Sequence, residues 1–452
     1  MSRGLGMHNA LFYLTYNGVY NFTNGIGTQT QLLLAGMEQL HTQLVDQFGS
    51  IDLHVVCPAP DAHTWGYDAA FLQRQRQRLH ALGGQLHLVP YTTQPQQELW
   101  SLPSWQSLCA NGAPFLRHTI SRYDRSLLIC VDQPWLHLPY TVGSPDWLRR
   151  HRASLLLVLY NTAFIRNWET PDPDELAWEQ QGLAASQPQS PIYLADICPS
   201  FTTHLTSHFA LSAAQFAPYT SSIMVREHAV ALQPASAIAA TLGRFAIPRH
   251  KDIIFAFGRA APIKGFERLI PALAPLRERV HFVLISVPYM TDDASQRLYD
   301  RLLAQYQIQA THIKSFTREL PRALCQWPRT WMVVIPSRQE TFSNITLEVA
   351  LWARQDGPVV VASAVGGFVD QIEDGVTGFL FDLASPEAMT TVMQRVLQLT
   401  PEQHAAVRRR AWHKVVQHYD FAQNFPATLR WLWGTPAPGS HPGTPLPAAK
   451  MG

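Results

Sequence analysis

PSRQETFSNITLEVALW, from Pro336 to Trp352, is the stretch on which the fold turns. An apolar run, Trp331–Pro336 (WMVVIP), leads into a polar loop carrying Glu340, and the loop opens an apolar helix carrying Glu348 eight positions later. The pattern predicts strand, loop and helix N-terminus in succession. A helix starts with N–H groups that have no partner inside it, so its first turn attracts anions, and neighbouring carboxylates can accept from sugar hydroxyls. A plainer reading makes Ser343 an N-cap and Glu348 an ordinary helical residue. Phe342, Ile345 and Leu347 read as packing residues.

The same rhythm continues on both sides. From Lys251 onward the strand candidates are DIIFAFG, HFVLIS, HIKSF, WMVVIP and PVVVAS, separated by helices such as FERLIPALAPLRER. The first half offers ALFYLTY (Ala10–Tyr16), IDLHVVC, QLHLVP, SLLICVD and SLLLVLY, with a helix from Thr28 to Phe48 that puts Leu32, Leu33, Met37 and Leu40 on one face. Apolar strands alternating with amphipathic helices imply an α/β chain with parallel sheets. A chain of 452 residues is too long for one ordinary core. The expected division is 1–235 and 250–410, then helices over 411–434 and a Pro/Gly/Ala-rich, disordered tail over 435–452. The loose stretch Val230–Arg249 marks the boundary. Three long stretches read as loops: Pro58–Tyr67, Thr92–Pro114 and Gln133–Asp146. Trp65, Tyr67, Trp100, Trp105 and Trp135 within them could line an acceptor pocket by stacking on sugar rings, or could simply anchor the loops.

A net charge of +2 and a charged content of 15% argue against nucleic acid as a partner and against peripheral attraction to anionic membrane. The five cysteines are scattered without a C-x-x-C pair, which speaks against a disulfide framework or zinc site and for a reducing compartment. No apolar run approaches the length of a membrane span, and the N-terminus does not read as a signal peptide, so the expected location is cytoplasmic.

Three further motifs bear on chemistry. In FGRAAPIKGFERLI, Arg259 and Lys264 lie five apart after a strand, where two cations could neutralise a diphosphate. VVVASAVGGFVDQIEDGVTGFL places Gly366 and Gly367 where a backbone must approach closely or adopt positive φ, and EDGVTG reads as a turn. TYNGVYNFTNGIGTQTQLLLAG sets Gly25 and Gly27 between a buried strand and an apolar helix. Asp172-Pro173-Asp174 imitates a metal-binding D-x-D but reads as a solvated turn. His204 and His208 read as surface or packing residues, and Arg74, Arg76 and Arg78 as a solvated helix face.

In content and order the motifs of the second half resemble the donor-binding domain of retaining GT-B glycosyltransferases of the glycogen-synthase-like, E-x7-E branch. The resemblance is close over Ile253–Trp433 and looser before it. It implies a GT-B fold, two Rossmann-like domains facing across a cleft, with the last helices crossing back to the first domain. It implies catalytic roles for Arg259 and Lys264 at the donor diphosphate and for Glu340 at the sugar, with Glu348 at the ribose. Gly25, Gly27, Phe342, Ser343, Asn344, Ile345, Gly366 and Gly367 complete the implied donor site. No cofactor and no metal are implied; the partners are a nucleotide sugar, read as UDP-linked, and an unidentified acceptor. Many relatives carry a His after the strand corresponding to SLLLVLYNTAF. This chain has Tyr160-Asn161 there, so either residue could replace that sugar contact, or the donor differs. A sugar-nucleotide epimerase, a pseudo-glycosyltransferase and a non-catalytic binder stay open as alternatives.

Overall fold

The computed structural model describes residues 7–21, 25–60, 64, 66–93, 99–167, 169–228, 232–288, 293–354, 356–385 and 387–434. Trp65 and the tail 435–452 lie outside them. Among the described residues thirteen strands form two sheets. The first holds β1 (His8–Leu14), β2 (Ser50–Pro58), β3 (Gln85–Val89), β4 (Arg125–Val131), β5 (Ala153–Val158), β6 (Ile192–Asp196) and β7 (Phe216–Pro218), in the order β3-β2-β1-β4-β5-β6-β7. The second holds β8 (Asp252–Ala260), β9 (Val280–Pro288), β10 (Ala310–Ile313), β11 (Thr330–Ile335), β12 (Val359–Ser363) and β13 (Phe379–Phe381), in the order β10-β9-β8-β11-β12-β13. Every pairing is parallel. Helices cover both faces, which is why the central strands are continuously apolar: β1 is buried from Asn9 to Leu14, and β4 from Ser126 to Val131.

In each sheet the strand order reverses beside the first strand, between β1 and β4 and between β8 and β11. Connections leaving a parallel sheet on opposite sides of such a point part to leave a crevice at the strand C-termini, where ligands bind. The segments after β1, β4, β8 and β11 are therefore placed by topology at the two crevices.

Six helices shape the crevices and the junction between domains: α1 (Gly25–Phe48), α2 (Pro199–Phe209), α3 (Asn344–Trp352), α4 (Phe368–Gln371), α5 (Pro401–His418) and α6 (Phe421–Trp433). The break between α5 and α6 falls at Tyr419–Asp420, where the chain joins the first domain. Ile223 N–H donates to Tyr419 O at 2.8 Å, and Phe421 N–H to Ile223 O at 3.0 Å. α6 then lies on the first sheet's layer. Arg125 Nη1 donates to Trp433 O at 2.6 Å with its guanidinium 5.4 Å over the Trp433 ring, and Thr428 Oγ1 donates to Pro218 O at 2.8 Å. Gly36 of α1 makes room for this helix, since a Cβ there would stand 2.1 Å from Phe421 Cε1.

Several local expectations change. α1 begins at Gly25, not Thr28, so Gly25 and Gly27 belong to its first turn rather than to the loop. β1 ends at Leu14, and β10 is Ala310–Ile313, upstream of most of HIKSF. Thr92–Pro114 is not one long loop: a helix runs from Leu102 to Ile120, with Pro103 in its first turn and Pro114 inside it. Gln133–Asp146 likewise holds a 3₁₀ turn (Gln133–Trp135), a helix (Leu138–Val142) and the start of another at Pro145. Pro134, Pro139 and Pro145 each sit in a first turn, where the missing N–H costs nothing, so prolines that read as breakers are starters. The stretch Val230–Arg249 is not loose throughout either. Ala235–Arg244 is a helix that buries Ile238 and Leu242 with the second sheet.

Gly36→Ala should overpack the α1–α6 contact and cost about 1–3 kcal/mol, read as a lower denaturation midpoint and faster proteolysis near Tyr419. A second test uses pH. His54, His281 and His404 are 2, 8 and 5% exposed, and burial lowers each to about 4. An unfolded His titrates near ~6.5, so below that pH the unfolded chain binds more protons. Stability should be complete above that value and fall as pH drops toward 4; an equal melting temperature at pH 7.5 and pH 5 would contradict this.

Candidate active site

The centre of the second crevice is built by backbone contacts that only glycine allows. Gly265 follows the 3₁₀ turn Pro262–Lys264 at φ +68°, and a Cβ there would stand 2.1 Å from Pro336 O. Gly366, at φ +48°, would place one 1.6 Å from Glu340 O, and Gly367 one 2.3 Å from Thr341 O. The loop 336–343 is thus clamped between the turn after β8 and the turn after β12. Arg338 N–H donates to Ile263 O at 2.8 Å, Arg338 Nη2 meets Glu267 Oε1 at 2.6 Å, and Gly367 N–H donates to Glu340 O at 3.2 Å. The close approach expected of Gly366 and Gly367 is made, and what they approach is this loop.

The clamp brings Lys264 and Glu340 together. Lys264 Nζ lies 2.7 Å from Glu340 Oε2, with the two side chains 19 and 15% exposed, and Ser337 Oγ reaches the same oxygen at 3.5 Å. Arg259 is the penultimate residue of β8 itself, in register with Val287, not on a loop beyond the strand. Its side chain is exposed.

α3 starts directly after the clamp. Ser343 holds the N-cap position, but its side chain accepts no hydrogen bond from the first turn, and no acidic residue occupies that turn. The helix's positive end is left without a side-chain counter-charge of its own. Gln371 Nε2 donates to Ser343 O at 3.0 Å and steadies the cap. Phe342 is 8% exposed and packs 5.9 Å from Tyr419. Ile345 is half-buried beside the second core. Glu348 is half-buried. Desolvation pushes it up to about 7, with Arg318 pulling the other way.

Across the crevice, the first turn of α1 faces the first turn of α3. Gln29 Nε2 donates to Asn344 Oδ1 at 2.9 Å, and a Cβ on Gly25 would lie 4.0 Å from Asn344 Nδ2. Gly27 packs against Gly18, whose own Cβ would meet Gly27 O at 2.8 Å. Tyr160 reaches the second domain through its backbone: Thr341 Oγ1 donates to Tyr160 O at 2.5 Å. Its hydroxyl lies 3.5 Å from Gln29 Oε1, and burial raises its pKa well above the usual phenol range. The Asn161 side chain accepts from Thr162 N–H at 3.0 Å.

Sequence reasoning missed three residues here. Asp132, just after β4, is 2% exposed and adopts φ 58°, ψ −170°, a region nearly reserved for glycine. It accepts from Tyr160 N–H at 2.6 Å and Tyr16 Oη at 3.0 Å, and burial pushes it up to about 6. Its place at the end of an apolar strand was the available signal. Gln29 and Asp370 carry no signal of spacing or type.

Of the aromatic candidates, Trp105 and Trp135 are 3 and 0% exposed and serve as anchors. Trp135 Nε1 donates to Thr15 O at 3.2 Å. Trp100 is half-buried, edge-on to Tyr16 at 5.3 Å with Arg166 stacked 4.6 Å above it. Tyr67 is 38% exposed, 6.4 Å from Tyr20. Asp172 caps the helix Pro173–Leu183, accepting from Asp174 and Glu175 N–H at 2.9 and 3.1 Å. His204 bonds Thr162 Oγ1 at 3.0 Å and stacks on Phe201. Among the described residues no helix is long and apolar enough to cross a membrane.

The clamp itself is testable. Gly265→Ala should force Pro336 to move and cost about 1–3 kcal/mol, whereas Gly83→Ala, at a positive φ but in open space, should cost only its backbone strain. Equal melting temperatures for the two variants would show that the clamp is not tight.

Residues 251–399, which contain the clamp, Lys264, Glu340 and α3, match the family described as glycosyl transferases group 1. A D-inositol 3-phosphate glycosyltransferase from Kribbella flavida is 33% identical over 142 residues, 29% of this chain and 32% of that protein. A glycogen synthase from Pseudomonas syringae pv. tomato is 40% identical over 95 residues, 19% of each chain. The chain thus spans a third or less of the length of these two curated relatives. Likeness in structure is longer. Anabaena HepE, crystallised with UDP-glucose, superposes with a TM-score of 0.65 at 15% identity, covering 94% of this chain and 100% of that one. Sucrose-phosphate synthase from Thermosynechococcus elongatus gives 0.69 at 15% identity, covering 94 and 99%. At such identities the likeness speaks for the fold alone. The chain has the GT-B fold, two Rossmann-like α/β domains, and residues 251–399 of its second domain are similar to the glycosyl transferases group 1 family.

Proposed function

We propose that this chain is a retaining glycosyltransferase that moves a sugar from a nucleotide diphosphate, UDP, to a hydroxyl of a small polar acceptor. The observation that carries the reading is the Lys264–Glu340 pair, 2.7 Å apart, beside an α3 N-terminus that faces the first turn of α1. A cation, a carboxylate and two helix N-termini in one crevice suit a ligand with a diphosphate at one end and hydroxyls at the other. The solved complex of HepE with UDP-glucose and the glycosyltransferase relatives support the same choice.

The roles derive from charge. Lys264, Arg259 and the first turn of α3 at Ser343–Asn344 stabilise the negative charge that grows on the departing diphosphate. Glu340 orients the sugar hydroxyls, and Glu348 accepts from the ribose. The bond from the anomeric carbon to the phosphate oxygen breaks while the acceptor oxygen bonds to that carbon on the same face. The acceptor's proton passes to the departing phosphate, so the step needs no separate carboxylate base. Domain closure keeps water from the donor. The first domain, with half-buried Trp100 and the region of Asp132, would shape the acceptor side.

Incubation with UDP-glucose, with the products read by NMR, tests the reading. Slow release of UDP and α-glucose, accelerated by a competent acceptor, is expected. A rearranged donor would instead indicate an epimerase, and binding without turnover a non-catalytic binder. Lys264→Ala should slow turnover about a hundredfold or more while nearly preserving UDP affinity; unchanged turnover would remove the leaving-group role. Glu348 binds ribose best when ionised, and its pKa is raised to about 7. UDP affinity should therefore be full above that pH and fall as pH drops through it. Glu348→Gln should weaken binding about tenfold or more at pH 8 and flatten the profile, as titration calorimetry would show.

A further inference from the structure

We infer that Asp370 is a positioning residue that latches the crevice shut, an inference that rests on the transfer reading for its purpose but on geometry for its existence. Asp370 lies in α4, the single turn that continues directly from Gly366 and Gly367. Its carboxylate crosses to the first domain: Asp370 Oδ2 accepts from Ser200 N–H at 2.9 Å, in the first turn of α2. α2 has no side-chain cap of its own. Its N-cap residue is Cys198, whose Sγ donates instead to Thr341 O at 3.3 Å, also across the crevice. The carbonyl of Asp370 is held from a third direction, accepting from Lys414 Nζ at 2.9 Å and Tyr419 Oη at 3.3 Å. One residue thus ties together the clamp around Glu340, the positive end of a first-domain helix, and the α5–α6 segment that crosses between domains.

A carboxylate at a helix N-terminus is a charge-assisted cap. When the cap comes from the same domain it stabilises the fold in every conformation. Here it comes from the other domain, so it forms only when the crevice is closed, and its free energy is expressed as a bias toward closure. Because α4 grows out of the Gly366–Gly367 turn, which lies on the backbone of Glu340 and Thr341, a ligand that settles that loop also settles the latch. The coupling runs through backbone contacts without flexible side chains between donor site and latch.

The experiment is small-angle scattering of the full chain, with and without saturating UDP, on wild type, Asp370→Ala and Asp370→Asn. The latch predicts that Asp370→Ala has a larger radius of gyration than wild type without ligand, at an unchanged melting temperature and circular dichroism spectrum. Its closing equilibrium should be weakened about two- to fivefold, and at most about thirtyfold, the worth of a charge at a helix N-terminus. Asp370→Asn keeps an acceptor for Ser200 N–H and should recover part of the closure, which loss of a merely structural residue would not show. Equal radii for wild type and both variants, in both states, would overturn the latch. So would a melting temperature that falls as the radius rises in both variants, which would make Asp370 a folding residue. Absence of UDP binding to wild type would defeat the transfer reading but leave the ligand-free comparison to decide the latch.

Discussion

The structure depends on how little room surrounds the loop from Pro336 to Ser343. Three of its carbonyl oxygens, on Pro336, Glu340 and Thr341, stand where the Cβ of any other residue at Gly265, Gly366 or Gly367 would have to go. Backbone packed against backbone sets positions more tightly than rotamers can. The ammonium of Lys264, the carboxylate of Glu340 and the opening of α3 are held in one arrangement because the chain beneath them has no alternative path. The electrostatics of the crevice result from that: a cation and an anion within bonding distance, and a helix end with no side-chain cap, are poised before a ligand arrives.

The two domains are coupled through the same loop. Phe342, Leu347, Ala350 and Leu351 belong to the hydrophobic cluster of the first domain, which also takes in Val415, Tyr419 and Phe421, while Val349 and Ala353 on the same helix belong to the second domain's core. α3 therefore presents one face to each core. Polar contacts run alongside: Gln29 to Asn344, Thr341 to Tyr160, Cys198 to Thr341 and Ser200 to Asp370. Burying a large apolar side chain is worth about 1.5–3 kcal/mol, and a hydrogen bond about 1 kcal/mol. A handful of such terms suits a crevice that must both close on a ligand and reopen.

Much of this is legible in the sequence. Continuous apolar runs such as Leu127–Val131 and Met332–Ile335 are fully buried stretches of parallel strand, and the Glu340–Glu348 spacing locates the strand–loop–helix unit around which the crevice is built. The pairing of Lys264 with Glu340 is implied only by family resemblance, since 76 positions separate them and no local rule joins them. The misleading signals have a common cause. Proline and tryptophan in Thr92–Pro114 and Gln133–Asp146 suggest loop, but Pro103, Pro134, Pro139 and Pro145 sit in first turns, and Trp105 and Trp135 fill the core. Composition reports preference, whereas position within an element decides the outcome. Gln29 and Asp370 are invisible for another reason: each acts through a partner far away in the chain, and such pairings exist only once the topology is known.

The docking of α6 on the first domain has a consequence for biosynthesis. Phe425, Leu429 and Trp433 complete a core whose other walls come from the earliest strands, and the Arg125–Trp433 contact spans 308 positions. On the ribosome, the first domain emerges with that apolar groove uncovered and keeps it so until the whole second domain and α6 have been made. Nascent chains of this protein therefore pass through a long interval in which a greasy surface awaits α6, the circumstance in which chaperones are recruited and in which a stop before α6 would leave both sheets made but the first core uncovered.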